Sequence, residues 1–252
     1  MIEYSRAVFR FVYSAIIYIF YMLFTKRDIR TIIKKIDNLM FYESKMEFFH
    51  KEKIEMIKKE NERGRGVLIM MNHYSLDSIF LYDLIDFYSV VKNDIMGELV
   101  KENEGGNWLY DYIKEEIFEK TRAIPYSRGD RKSGDEIKKV ILKNIKMGRN
   151  VMIFPEGRCQ HCFKKPNEFK KGIFYLAYEN QIPIFSITVK YSKDIGSNPG
   201  EPADLINLYY KRPDRHVYMN GIFYPQYYMS MEMLMKDVYD SISEKVYLEW
   251  KE

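Results

Sequence analysis

The chain lacks several features that would assign it at once to a well-marked class of protein. Its 252 residues include only two cysteines, Cys159 and Cys162, which are too few for a disulfide scaffold and favour a reducing, cytosol-facing domain. Lys and Arg number 40 against 36 Asp and Glu, and a net charge of +4 predicts no nucleic-acid partner. Hydrophobic residues make up 46%, which excludes intrinsic disorder, and the length suits one α/β domain with a substantial core.

The N-terminal apolar run is also short for a full membrane span, which needs about 20 residues, unless Arg10 snorkels and Val8 and Phe9 are counted. Residues 11–24 carry no charge, and basic residues such as Arg10 and Lys26 flank them. No small-residue cleavage site follows, so a removable signal peptide is not expected. We therefore expect a re-entrant or interfacial membrane helix, with a buried core helix as the alternative. If the segment spans, its basic flank places the rest of the chain on the cytoplasmic side.

From Gly64 onward, short apolar runs alternate with helical patterns. The predicted strands cover residues 67–71, 151–154, 182–189 and 216–223, and the predicted helices cover residues 75–88, 135–147, 171–179 and 229–248. This alternation predicts an α/β fold with a central, mostly parallel sheet flanked by helices. Residues 28–63 are charged and helical in pattern. We therefore divide the chain into an N-terminal membrane-associated helical region, residues 1–63, and an α/β domain, residues 64–252.

A histidine and an aspartate stand where the first predicted strand passes into a helix. His73 and Asp77 are four positions apart, which places them on one face of a helix. A carboxylate on one imidazole nitrogen sets the tautomer and leaves the other nitrogen able to accept a proton. The alternative is structural, with Asn72 or Ser75 capping the helix and Asp77 favouring its N-terminal dipole.

A polar turn follows the second predicted strand. Residues 151–154 lead into Pro155-Glu156-Gly157-Arg158, which delivers a carboxylate and a guanidinium to the same edge of the sheet. Arginine suits bidentate recognition of phosphate. The alternative is a surface turn with a local ion pair.

These two motifs, in this order, resemble those of the glycerolipid acyltransferases, the lysophosphatidic acid acyltransferase group. Two further blocks agree with the family. The first is similar to the central block of the family, which ends in an arginine. The second is a predicted helix followed by a strand that begins near a proline. The four blocks are NHYSLD at residues 72–77, AIPYSR at 123–128, FPEGR at 154–158, and FKKG at 169–172 with IPIFSI at 182–187. The resemblance covers roughly residues 64–190, and four blocks in order are more specific than any one.

The resemblance implies a role for each matching residue. His73 would deprotonate the hydroxyl of the acceptor, and Asp77 would orient His73. Arg128 and Arg158 would hold the phosphate of the acceptor. The family usually places four residues between the histidine and the aspartate, whereas this chain has three, with Ser78 at the usual position.

The same resemblance implies that Glu156 and Gly157 shape the acceptor pocket. The acyl donor would be a thioester of CoA or acyl carrier protein, acting as co-substrate without a further cofactor. The acceptor would be a lysophospholipid, above all 1-acylglycerol-3-phosphate, in phospholipid synthesis at a membrane. The partners are then membrane lipid, the lysophospholipid and the acyl thioester.

Cys159, His161 and Cys162 form a compact group of soft ligands, but no fourth ligand is evident, so we predict no metal site. Two other functions stay open at this point. One is a catalytically inactive membrane-binding relative that lost the spacing of the dyad. The other is a lipid ester hydrolase in which water replaces the alcohol.

Overall fold

The fold is described from a computed structural model. It describes residues 5–6, 8–9, 12–13, 16, 44–73, 81, 84–92, 122–126, 131–157, 165–193, 210–211 and 213–247.

The described residues form a seven-stranded sheet in the order β1-β7-β6-β2-β5-β3-β4. All paired neighbours are parallel except β6 and β7, which are antiparallel. This confirms the predicted α/β fold with a mostly parallel sheet, and β2 pairs directly with β5. The strands are β1 Met46–Phe49, β2 Leu68–Met71, β3 Phe87–Lys92, β4 Ala123–Tyr126, β5 Asn150–Ile153, β6 Ile184–Tyr191 and β7 Arg215–Phe223.

Strand β2 lies at the centre because its side chains are apolar on both faces. Its sequence is LIMM, and all four residues are buried. Ile69 and Met71 pack in the core on one face of the sheet, and Leu68 and Met70 pack in the core on the other face. A continuous apolar strand is expected where helices cover both sides of a parallel sheet.

Among the described residues, one helix packs on one face of the sheet and three pack on the other. Helix α1 contributes Ile54 and Ile57 to the first core. The other three helices contribute apolar residues to the second core, and α4 packs along β6 and α3. The helices are α1 Ile54–Glu62, α2 Arg131–Lys146, α3 Lys171–Glu179 and α4 Met231–Tyr247. Helix α3 has the bounds predicted from the sequence, and α2 begins four residues earlier than predicted.

Two predicted helices are wrong in part. The helix predicted over residues 75–88 overruns, because Phe87–Lys92 is strand β3. Its aromatic and β-branched residues have high strand propensity, but the helical spacing of the apolar residues continued into it. The helical pattern of residues 28–63 is wrong at Met46–Phe49, which forms edge strand β1 beside β7. Ala123–Tyr126 is strand β4, which the sequence analysis treated only as a motif.

The N-terminal segment is described at a few helical positions. Phe9, Val12, Tyr13 and Ile16 are all exposed there, at 69%, 46%, 47% and 58%. No helix among the described positions is long and apolar enough to cross a membrane. The predicted membrane association of this segment and the division of the chain after residue 63 stay predictions. Strand β1 and helix α1 precede that division and are part of the sheet and its first core.

The order of the strands predicts a ligand-binding crevice at the carboxyl ends of β2 and β5. The chain leaves β2 toward β3 and β4, on one side of the sheet, and leaves β5 toward β6, on the other side. Connections that leave neighbouring parallel strands in opposite directions open a crevice at their carboxyl ends, where ligands bind in α/β proteins. The segments after β2 and β5 are the two that carry the predicted histidine and the polar turn.

Candidate active site

His73 lies two residues after the end of β2, beside the predicted crevice, and is held by the turn after β5. Its backbone N–H donates a hydrogen bond to Oε1 of Glu156 over 2.7 Å. Its imidazole stacks on the ring of Phe154, with 3.9 Å between the ring centroids and 21° between the planes. Phe154 in turn packs against the first core. Both the backbone and the ring of the half-buried His73 are therefore fixed by residues that follow β5.

The carboxylate of Glu156 is the anchor of the site. Its side chain is fully buried, at 0% exposure. Oε1 accepts from the N–H of His73, and Oε2 accepts from the N–H of Asn167 over 2.6 Å. A buried carboxylate is tolerated only when hydrogen bonds replace its hydration, and such charge-assisted bonds are about twice as strong as neutral ones. Glu156 thus joins three segments: the exit of β2, the turn after β5, and the approach to α3.

The turn after β5 requires a glycine at its end. Gly157 has a φ of 68°, in the left-handed region that side chains disfavour. Its N–H donates to the carbonyl of Phe154 over 3.0 Å, and the N–H of Lys170 donates to the carbonyl of Pro155 over 2.8 Å. These two bonds close the turn and direct the carboxylate of Glu156 inward. The predicted role of Glu156 and Gly157 in an acceptor pocket stays a prediction, while their structural part at the site is evident.

Asn72 is a site residue whose part the sequence analysis missed. Its Nδ2 donates to the carbonyl of Val189 over 2.9 Å, and its Oδ1 accepts from the N–H of Val189 over 2.8 Å. It is 1% exposed, so both bonds are shielded from water. The signal that indicates this part is its position directly after the wholly apolar run of residues 67–71. An amide there must be buried, and buried amides are almost always paired.

Three of the predicted site residues cannot be placed against His73. Asp77, Arg128 and Arg158 lie outside the described residues, as do the cysteines at 159 and 162. The predicted dyad and the predicted convergence of the two arginines therefore stay predictions. Within the ranges that are described, no three histidine, cysteine, aspartate or glutamate side chains are grouped as metal ligands.

The arrangement can perform base chemistry on a substrate hydroxyl. It places an imidazole at a rigid junction between strand and loop, with its backbone tied to a buried carboxylate and its ring against an aromatic face. Such preorganisation limits the reorganisation needed during reaction. The carboxylate of Glu156 contacts the backbone of His73 and so acts on its position.

Comparison with known proteins identifies the family of the chain and a solved structure with a similar fold. The family model described as Acyltransferase matches residues 50–190, which is more than half of the chain. Among solved structures, the chain resembles the crystal structure of the 1-acyl-sn-glycerophosphate (LPA) acyltransferase PlsC from Thermotoga maritima, with a TM-score of 0.66. The two share 16% identity, and the match covers 99% of this chain and 100% of that one, so the likeness concerns the fold. No curated protein sequence matches this chain. The family match confirms the resemblance seen in the motifs: the chain belongs to the acyltransferase family.

Proposed function

We propose that this acyltransferase moves a fatty acyl group from an acyl thioester to the free hydroxyl of a lysophospholipid, with 1-acylglycerol-3-phosphate as the acceptor. The observation that carries the proposal is the placement of His73. It stands at the carboxyl end of the central strand, with its N–H bound to the buried Glu156 at 2.7 Å. That is where an α/β fold binds ligands, and the residue is the one that the family motif assigns as base.

The proposed reaction needs one base and no protein nucleophile. An imidazole nitrogen of His73 takes the proton of the acceptor hydroxyl as its oxygen attacks the thioester carbonyl. The tetrahedral intermediate then collapses, the carbon–sulfur bond breaks, and the leaving thiolate takes the proton from the imidazolium. The products are a new oxygen ester and a free thiol. Because thioesters are activated acyl donors, positioning of the two substrates together with general base catalysis suffices for the reaction.

In this scheme Asp77 orients His73 from the start of the helix that the sequence predicts after it. An interval of four residues rotates a side chain by about 40° around an ideal helix, which keeps the pair on one face. Arg128 and Arg158 bind the phosphate of the acceptor, because guanidinium groups match phosphate oxygens in a bidentate way. Arg158 directly follows Gly157, so the turn after β5 leads straight into it.

The proposed reaction takes place at a membrane, where its acceptor resides. The four exposed apolar residues of the N-terminal segment recur at positions 9, 12, 13 and 16, one stripe of a helix. Phe9 and Tyr13 stack with 6.1 Å between ring centroids, so the stripe presents a paired aromatic surface. Such a stripe with basic flanks suits binding in the interface of a bilayer, with the α/β domain on the cytoplasmic side.

A panel of acceptors and donors tests the proposal. The purified full chain would be given one long-chain acyl thioester, either of CoA or of acyl carrier protein. The acceptor would be 1-acylglycerol-3-phosphate, lysophosphatidylcholine, lysophosphatidylethanolamine or none. We expect esterified product with the first acceptor at a rate well above the others. Release of free fatty acid alone would indicate a hydrolase, and no product with any pair would indicate an inactive relative.

A further inference from the structure

The side chain of Asn72 ends the pairing of β2 with β6. The register matches Leu68 with Ile184 and Met71 with Ile187, and Leu68 N–H donates to the carbonyl of Pro183. If that parallel ladder continued, the N–H of Val189 would donate to the backbone carbonyl of Asn72. The carbonyl of Val189 would accept from the N–H two residues further along the β2 chain.

The amide of Asn72 takes both of these positions. Val189 N–H donates to Oδ1 of Asn72, and Val189 carbonyl accepts from Nδ2. Because a side-chain amide has the same donor and acceptor as a peptide group, β6 is satisfied without the backbone of β2. The backbone after Asn72 can therefore leave the sheet. The N–H of His73 faces β5 in the alternation of the ladder, and there it donates to Glu156.

We infer that Asn72 is a positioning residue for His73, and that its amide sets the point at which the chain leaves β2 so that the imidazole faces the substrate. The inference rests on the proposed function, in which His73 is the base. Asn72 acts through the backbone of His73. Without the amide of Asn72, we expect the imidazole of His73 to shift by a fraction of a residue spacing. The residues that bind the substrates should stay in place.

A second buried asparagine provides a matched control. Asn150 is 5% exposed and also pairs with backbone groups: its Oδ1 accepts from Val67 N–H over 3.1 Å, and its Nδ2 donates to the carbonyl of Asp86 over 2.9 Å. It begins β5, at the end of the sheet opposite to His73. Asn72→Ala and Asn150→Ala thus each remove a buried amide bonded to a backbone N–H and a backbone carbonyl. The amide of Asn150 also exchanges hydrogen bonds with the side chain of Asn61 over 2.9 and 3.0 Å.

The first experiment compares kcat and KM of these two variants with those of the wild type. We expect Asn72→Ala to lower kcat about 10²-fold, the loss typical of a misplacement near 1 Å, with both KM values within about twofold. Asn150→Ala should lower Tm at least as much, because it also loses the bonds to Asn61, but should leave kcat of the folded protein near that of the wild type. Equal losses of kcat in both variants, or a loss in KM alone, would overturn the inference.

Replacing the amide with a carboxyl group provides a second measurement if the alanine variant folds poorly. The protonated carboxyl of Asn72→Asp can still donate to the carbonyl of Val189, whereas the carboxylate cannot. The ratio of its kcat to that of the wild type should therefore rise as the pH falls, and the ratio for Asn150→Asp should stay flat. A flat ratio for Asn72→Asp would contradict the inference.

A spectroscopic readout separates this inference from the proposed function. The imidazole nitrogen resonances of His73 can be assigned by their absence in His73→Ala. In Asn72→Ala, these resonances should show a changed tautomer population or a changed midpoint of their pH titration. In Asn150→Ala, they should remain unchanged. Resonances that stay unchanged in Asn72→Ala would refute positioning. Activity retained in His73→Ala would instead refute the base mechanism, whatever the resonances show.

Discussion

Glu156→Gln replaces one carboxylate oxygen with an NH₂ group, and it tests whether this carboxylate holds His73 in place. Both oxygens of the carboxylate accept backbone N–H groups, at 2.7 Å from His73 and 2.6 Å from Asn167. Glutamine offers one carbonyl oxygen and one NH₂ group, so one of the two N–H donors would face another donor in a fully buried position. Losing a charge-assisted hydrogen bond at such a donor costs about 1.5–3 kcal/mol.

That loss predicts two measurable effects. In a chain of 252 residues, about 2–4 °C of Tm is lost for each kcal/mol, so Glu156→Gln should unfold about 3–12 °C earlier. Because the unpaired donor can be that of His73, kcat should also fall about 10- to 100-fold. Differential scanning calorimetry and initial-rate assays at a temperature where both proteins are folded would measure the two effects.

Glu60 provides the matched control for this change. It is likewise fully buried, and it binds Arg63 at 2.8 Å, Arg65 at 2.7 Å and the hydroxyl of Tyr224 at 3.2 Å, near the amino end of β2. Glu60→Gln should lower Tm at least as much and leave kcat of the folded protein unchanged. If Glu156→Gln kept both the Tm and the kcat of the wild type, the reasoning on the anchor would be refuted. An equal loss of kcat in Glu60→Gln would show that activity merely follows stability.

Other changes test separate parts of the account. Gly157→Ala forces a side chain into a φ of 68° and should cost about 1–2 kcal/mol, whereas Gly134→Ala in helix α2, with open space around it, should stabilise by about 0.5–1 kcal/mol, as thermal melts would show. Deleting residues 1–27 should move the protein from the membrane pellet to the soluble fraction, and a truncated chain that still pellets in high salt would contradict this. Arg158→Ala should raise the KM of the acceptor more than that of the donor, and equal changes would argue against a phosphate role. Burial lowers the pKa of His216 in the folded chain despite nearby Glu47, so protonation of this histidine favours unfolding. His216→Phe removes the titrating group and should therefore reduce the loss of Tm as the pH falls from about 6.5 toward 5.

The fold could be predicted where apolar runs are continuous and bounded by turn residues. Strands β2 and β5 are predicted in this way, because burial on both faces of the sheet makes a strand apolar at nearly every position. Helix α3 is predicted in the same way from its apolar run. Strand β3 could not be separated from the preceding pattern, since the spacing of its apolar residues also fits a helix. Edge strand β1 is only four residues long, and short edge strands carry little periodicity.

His73 and Glu156 could be named from the sequence as candidate site residues, but the contacts that hold them could not be predicted. Histidine at a strand end and a Pro-Glu-Gly turn both indicate function by residue type. The bonds that hold His73 depend on tertiary partners: Glu156 is 83 positions away, and Val189 lies 117 positions from Asn72. No local pattern specifies such pairs, because register and crossover decide which backbone groups meet.

The most direct test of the central claim is the rate of acyl transfer from acyl-CoA to 1-acylglycerol-3-phosphate by His73→Ala, compared with the wild type and with His216→Ala. His216 lies on β7, two strands from β2 in the order of the sheet, so its variant controls for the loss of an imidazole elsewhere in the fold. The account predicts that His73→Ala loses transfer by at least about 10²-fold while its Tm stays near that of the wild type, and that His216→Ala stays active. Full activity in a folded His73→Ala would contradict the account.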